Sequence, residues 1–162
     1  MAPSVKPIPE GFHSVTPYLV VSDAARAIEF YKRAFGAQEV MRMNTPQGKV
    51  FHAEIKIGDS MVMLGEPPPH GDLRSPETLH GSTVSMMLYL EDVDATFEQA
   101  VSAGAKAAQA LTDMFWGDRH GRVVDPFGHS WSLSQHVEDV SPEEMARRSE
   151  AAAKAAQSAS AS

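Results

Sequence analysis

His52 and Glu54 are the pair whose types and spacing could do chemistry. They stand two apart in the run Val50-Phe51-His52-Ala53-Glu54-Ile55-Lys56-Ile57. Side chains along a strand alternate between faces, so residues two apart are neighbours on one face. Val50, His52, Glu54 and Lys56 are therefore expected on one face, toward a ligand or solvent, with Phe51, Ala53, Ile55 and Ile57 packed on a helix. A carboxylate beside an imidazole can fix its tautomer or raise its pKa, which suits acid–base catalysis or half of a non-standard metal site. The plainer alternative is a solvated polar face.

A second concentration is Phe115-Trp116-Gly117-Asp118-Arg119-His120. Two adjacent aromatics cannot both point inward on a strand, so Trp116, with Phe115 beside it, is a candidate platform for a ligand. Aromatic rings supply contact area at low entropic cost. The alternative is a plug on the core. Arg119 and Arg122 could meet an anionic group or make surface ion pairs, with Asp118 a local partner for Arg119. Tyr18, Met87 and Ser132 complete the candidate ligand contacts. Met61 and Met63 share a strand face, whereas Met86 and Met87 take opposite faces; thioethers make adaptable walls, or simply fill a core. Asp125-Pro126-Phe127-Gly128 reads as a structural turn. His129 is expected at the surface, as are His70 and His80. No glycine-rich phosphate loop, nucleophile elbow or zinc-protease helix motif is present.

The elements that must position these residues form an internal repeat. Leu19 aligns with Leu88, Asp23 with Asp92, Glu29 with Glu98 and Ala34 with Ala103 at one constant offset, and Gly36-Ala37 meets Gly104-Ala105 after a one-residue slip. Each half reads as a strand (14–21 and 83–90), then a helix. Asp23 caps the first helix, and Asp92 or Asp94 the second. Glycine then stops each helix. Three short strands follow: 39–43, 50–57 and 60–64 in the first half, and 107–111, 119–125 and 130–135 in the second. The fold class is α+β, two tandem βαβββ modules forming a curved sheet trough, plus a C-terminal helix. The expected divisions are an extended arm (1–11), one domain (12–137) and a C-terminal helix with a tail (138–162). Within the domain lie module one (12–66), a proline-rich linker (67–82) and module two (83–137). Ser141-Pro142-Glu143-Glu144 is a helix start, and the run to Ala156 lacks an apolar stripe, so loose docking and a frayed end are expected. A sheet with one helix leaves its other face bare, and two bare faces side by side make a natural small-molecule trough.

Composition bounds the chemistry. The chain has 162 residues, a net charge of −7 and no cysteine. The charge gives no electrostatic route to nucleic acid, and the missing thiols exclude disulfides, thiolate metal sites and cysteine nucleophiles. No apolar run approaches the roughly 20 residues that span a bilayer. The proline-rich start does not resemble a secretion signal, so a soluble cytoplasmic protein is expected, with neither nucleic acid nor membrane as partner.

The repeat, together with Asp23-Ala24-Ala25-Arg26-Ala27-Ile28-Glu29-Phe30-Tyr31, Ala34-Phe35-Gly36-Ala37 and Asp125-Pro126-Phe127-Gly128-His129-Ser130-Trp131, resembles the vicinal oxygen chelate superfamily. That group includes glyoxalase I, bleomycin-resistance proteins and extradiol dioxygenases. The stretch from His52 to Asp59 and the phrase Phe115-Trp116-Gly117-Asp118-Arg119 are similar to its PhnB-like branch. The resemblance covers residues 12–136. It places Ser132 in the trough and Trp131 in the core, and it implies four metal-ligand positions at Thr16, Val62, Ser85 and Ser132. None is His, Glu or Asp, and a one-residue slip supplies no competent ligand either, so no cofactor is expected and a divalent metal is disfavoured. What the resemblance implies is a protein that binds a small, partly apolar molecule, as bleomycin-resistance proteins do. The alternative is a lyase or isomerase acting through His52 and Glu54 on a small carbonyl substrate, metal-free or with a non-standard metal. A third reading uses the C-terminal helix as a docking element. A homodimer is implied, with the trough closed within one chain or across two.

Overall fold

A computed structural model describes residues 5–160; Met1 to Ser4 of the expected arm, and the last two residues of the tail, lie outside the described residues. The first module runs β1 (Tyr18–Val20), α1 (Ala24–Phe35), β2 (Gln38–Asn44), β3 (Val50–Ile57) and β4 (Ser60–Gly65). A short helix, α2 (Pro76–Leu79), lies in the linker, where the sequence suggested only loop. The second module runs β5 (Ser85–Tyr89), α3 (Val93–Ala103), β6 (Lys106–Asp113), β7 (Asp118–Val124) and β8 (Ser130–His136), and α4 (Pro142–Ser160) follows. No helix among the described residues is long and apolar enough to cross a membrane.

Local chemistry sets these boundaries. Asp23 accepts from the Arg26 N–H at 3.0 Å, and Asp92 accepts from the Ala95 N–H at 2.9 Å, so each helix starts on an aspartate. Asp92, not Asp94, is the second cap. Gly36 ends α1 in the left-handed region at φ 65°, where a side chain is disfavoured. α4 starts where Ser141 accepts the Glu144 N–H. It runs to Ser160, into the stretch expected to fray.

Each module makes its own four-stranded sheet, in the orders β1-β4-β3-β2 and β5-β8-β7-β6. The edge pairs β1–β4 and β5–β8 are parallel, and the remaining pairs are antiparallel. Facing residues share a side of the sheet. Ala53 with Leu64 and Ile55 with Val62 pack beneath α1, whereas Glu54 with Met63 and Tyr18 with Met63 face the other way. The second sheet repeats the division: Trp131, Leu133 and Val123 are buried, and Met87, Ser132 and Arg122 share the opposite face.

The expected faces of β3 need one correction. Ala53, Ile55 and Ile57 are buried as alternation requires, but Val50 is buried too and Phe51 is 57% exposed. Met43 pairs with His52 and the next residue, Asn44, pairs with Val50, so Phe51 is an extra residue in the ladder. Such a bulge reverses the faces beyond it.

One apolar core joins the modules. Tyr31 and Phe35 of α1 reach Trp131 of β8 at ring separations of 5.4 and 4.8 Å. Phe30 meets Phe127, and Gln99 of α3 donates to the Ala34 carbonyl. The polar centre of this core is Asp125. One of its oxygens accepts from the Tyr31 hydroxyl at 2.7 Å and the Trp131 indole at 2.9 Å. The other accepts the Phe127 and His129 backbone N–H groups, each at 2.9 Å. Burial and the adjacent carboxylate raise the Tyr31 phenol well above its usual range, so it stays a donor. Asp125 is thus a turn residue, as expected, and also the link between modules. His129 is not a free surface residue, because its Nε2 lies 3.0 Å from the Val20 carbonyl.

Every partner of Asp125 is a donor, so an amide keeps one accepting oxygen and turns an NH2 group on the other two donors, and a methyl group accepts from none. Asp125→Ala and Asp125→Asn should each lose about 3 kcal/mol or more, at about 1–3 kcal/mol for each buried donor left unpaired. Denaturant unfolding checks this; Asp125→Asn at wild-type stability would contradict it.

Candidate functional site

Tyr18, His52, Glu54 and Met63 meet on the open face of the first sheet. The Tyr18 and His52 rings stack at 5.7 Å with planes 29° apart, and the Tyr18 hydroxyl lies 3.4 Å from His52 Nδ1. His52 Nε2 is 3.5 Å from a Glu54 oxygen, a contact at the outer limit of hydrogen bonding. Partial burial raises the Tyr18 phenol, so it acts as a neutral hydroxyl near neutral pH. Gly65 makes room for this arrangement. A Cβ there would lie 2.7 Å from the Tyr18 hydroxyl and 2.6 Å from the Phe51 carbonyl. Residues 7–16, the end of the arm and the segment after it, border a groove of 430 Å³ beside this face, with Pro7, Ile8, Phe12 and Met63 as apolar walls and His13, Ser14, Thr16 and Glu54 as its polar lining.

The open face of the second sheet is organised around Asp118, which is buried. Its Oδ2 accepts from the Tyr89 hydroxyl at 3.0 Å and the Trp116 indole at 3.2 Å, and its Oδ1 lies 2.9 Å from His136 Nδ1. Burial works to raise this carboxyl, but the three hydrogen bonds outweigh it and hold the group below its usual value. His136 also meets Asp139 at 2.9 Å. Trp116 packs across His120, whose Nδ1 lies 2.8 Å from the Ser134 hydroxyl. Ser85 joins Ser132 at 3.1 Å and Ser130 at 3.3 Å. Half-exposed Met87 and exposed Tyr89 and Arg122 border this polar strip.

Of the residues singled out from the sequence, the fold brings Tyr18, His52 and Glu54 together on one module. It puts Trp116, Met87, Ser132 and Arg122 on the open face of the other, and among the described residues no hydrogen bond, ion pair or ring contact joins the two groups. Phe115 stacks edge-on against Trp116, and its carbonyl accepts from Arg148 of α4. Arg119 does not pair with Asp118. It is held by Asp94 of α3 at 2.7 Å and by Asp113 at 3.1 Å. α4 is tied down by its Arg148, which grips Glu138 of the preceding loop and is braced by Glu144 of the same helix. Gly117 touches the loop before α4 so closely that a Cβ would strike the Glu138 carbonyl. Sequence reasoning missed Tyr89, His120, Ser134 and His136. Their signal was alternation, since Asp118 and His120 stand two apart on β7, as do Ser134 and His136 on β8.

The residues do not fit the divalent metal that the family resemblance brings with it. Val62 is a core residue facing Ile55, so the open-face position on β4 belongs to Met63. Thr16 donates to the His13 carbonyl, and Ser85 and Ser132 bond to each other. A thioether and neutral hydroxyls are weak donors for a hard or borderline cation. Among the described residues no three His, Asp or Glu side chains cluster closely enough to hold an ion.

His136 has a testable titration. Hydrogen bonds to Asp139 first, and Asp118 second, raise its pKa above the ordinary 6.5. Its stabilising contribution is complete below that ordinary value and is lost as pH rises through the higher folded-state value. The Asp118 contribution runs the opposite way. It is complete above the ordinary 3.8 and is lost as pH falls through the lower folded-state value. Proton NMR should place the His136 midpoint above that of an unfolded histidine, and Asp139→Asn should lower it; a midpoint unmoved by Asp139→Asn would contradict this account.

Comparison with known proteins agrees with this architecture. The family model described as Glyoxalase/Bleomycin resistance protein/Dioxygenase superfamily matches residues 11–133. An uncharacterized protein of Mycobacterium tuberculosis strain H37Rv is 46% identical over 135 residues, which cover 82% of this chain and 79% of that protein. Among solved structures, TioX from Micromonospora sp. ML1 is similar with a TM-score of 0.62 and 27% identity, over 77% of this chain and 99% of that one. A gene product from Arabidopsis thaliana is similar with a TM-score of 0.60 and 28% identity, over 76% of this chain and 98% of that one. A PhnB protein from Bacillus cereus shares the fold at 19% identity and a TM-score of 0.60, over 76% of this chain and 99% of that one. With two βαβββ modules, a matching family model over most of its length and relatives of the same form, the chain belongs to the glyoxalase/bleomycin resistance protein/dioxygenase superfamily.

Proposed function

We propose that the protein binds a small, partly apolar organic molecule on the open faces of its sheets, without the divalent metal used elsewhere in the superfamily. One observation carries this reading: each open face sets aromatic rings beside a polar group already oriented by its neighbours. On the first sheet these are Tyr18, His52 and Glu54. On the second they are Trp116 and Tyr89 on Asp118. Rings give contact area, and a few convergent polar groups give orientation, which is the make-up of a small-molecule site. The His52–Glu54 contact also supports a lyase or isomerase on a small carbonyl substrate. That second reading requires turnover that His52→Ala abolishes.

The two tryptophans separate the arms of a test. Trp131 is 1% exposed in the core, while Trp116 is half-buried on the open face. A planar aromatic ligand should raise the melting temperature and quench the Trp116 emission. Trp116→Phe should abolish the quenching and weaken binding by about tenfold, the scale of one aromatic anchor. A broad panel of planar compounds that shifts neither signal would refute the proposal.

We also read the chain as a homodimer, an assembly supported by exposed Val84, Met87 and Tyr89 on and beside β5. Sedimentation should give twice 17.5 kDa; a species of one chain at all concentrations would contradict it.

A further inference from the structure

We infer that the groove beside the N-terminal arm selects an organic amine, its protonated nitrogen on Glu54 and its apolar body against Met63, Phe12 and Ile8. The inference rests on the reading that the open faces bind small molecules, and it names the class of ligand that the first sheet takes.

The Glu54 side chain is only 17% exposed, yet its one ion-pair partner among the described residues is His52, at 3.5 Å. No lysine or arginine reaches it. Lys56, two residues on along the same face, is exposed and makes no ion pair with Glu54, and Lys49 is engaged by Glu66 at 3.4 Å. No buried side-chain oxygen among the described residues lacks a partner, so the Glu54 oxygens still meet solvent and a ligand entering the groove can reach them. The walls around it are prolines, Ile8, Phe12 and Met63, with His13, Ser14 and Thr16 as the polar part of the lining; the Thr16 hydroxyl is committed to the His13 carbonyl, and among the described residues none of the three hydrogen-bonds to Glu54. A ligand ammonium would replace that solvent with charge-assisted hydrogen bonds.

Two further features point the same way. The Phe12 ring, which lines the same groove as Glu54, offers an aromatic surface there, and aromatic faces attract cations. The net charge of −7 favours cationic over anionic ligands at long range. The aliphatic and aromatic walls require that the amine carry a hydrophobic group, since a small hydrated cation would leave them empty. A carboxylic acid of the same shape would set like charges together.

Calorimetric titration of the full chain with 1-naphthylmethylamine, 1-naphthylmethanol and 1-naphthoic acid tests this. The amine should bind about tenfold or more tightly than the alcohol, a difference of about 1.4 kcal/mol, and the acid most weakly. Glu54→Gln should bring the amine and alcohol to parity while changing alcohol affinity less than about twofold, because only the charge is lost. Glu150→Gln, an exposed change on α4, should keep the preference and so controls for net charge. Equal wild-type affinity for amine and alcohol, or a preference that survives in folded Glu54→Gln, overturns the inference and leaves small-molecule binding standing. If none of the three binds while planar aromatics fail to quench Trp116, both fall.

Discussion

Four donors converge on the Asp125 carboxylate, and the division of the molecule into a filled side and an open side depends on them. Tyr31 belongs to α1 of the first module, and Trp131 belongs to β8 of the second. Held by one carboxylate, the two rings also pack on each other, so the first module's helix is fixed over the second module's sheet. A buried carboxylate is costly alone and tolerable when all its acceptor positions are filled. With both helices committed to this shared core, neither can cover the opposite face of a sheet.

That opposite face is where chemistry can gather. On the helix side, Ala53, Ile55, Leu64, Val123 and Leu133 leave no polar atom in need of a partner. On the other side, hydroxyls, imidazoles and carboxylates organise themselves around Glu54 in one module and Asp118 in the other. The two centres differ in kind. Asp118 is saturated by three donors and is a rigid post for Trp116 and Tyr89, whereas Glu54 has capacity to spare. A thioether and neutral hydroxyls at Met63, Thr16, Ser85 and Ser132 are weak donors for a divalent cation, and the proposal of metal-free binding rests on that chemistry.

Much of this could be read from residues alone. The repeat gave the two modules because strand, capped helix and glycine stop recur in the same order. Alternation assigned Ala53, Ile55 and Ile57 to the core and paired His52 with Glu54. It failed at Phe51 and Val50 because one extra residue in a ladder leaves no mark in local sequence. The family resemblance set Val62 on the open face, one residue off from Met63, because choosing between adjacent apolar residues requires the strand register. Asp118 looked like a local partner for Arg119. Its real partners come from β5, the turn before β7 and the end of β8, while Arg119 reaches across to α3. Side-chain networks assembled from distant segments depend on topology, and pattern alone cannot supply it.

The most direct measurement of the central claim is the divalent metal content of the chain after equilibrium dialysis against nickel, zinc or manganese. Exchange of imidazole and carboxylate donors for Met63, Ser85, Ser132 and Thr16 predicts metal well below one ion per chain, with no rise in melting temperature. One tightly held ion per chain, lost on His52→Ala or Glu54→Ala, would contradict the account and return the protein to the metal-dependent side of its superfamily.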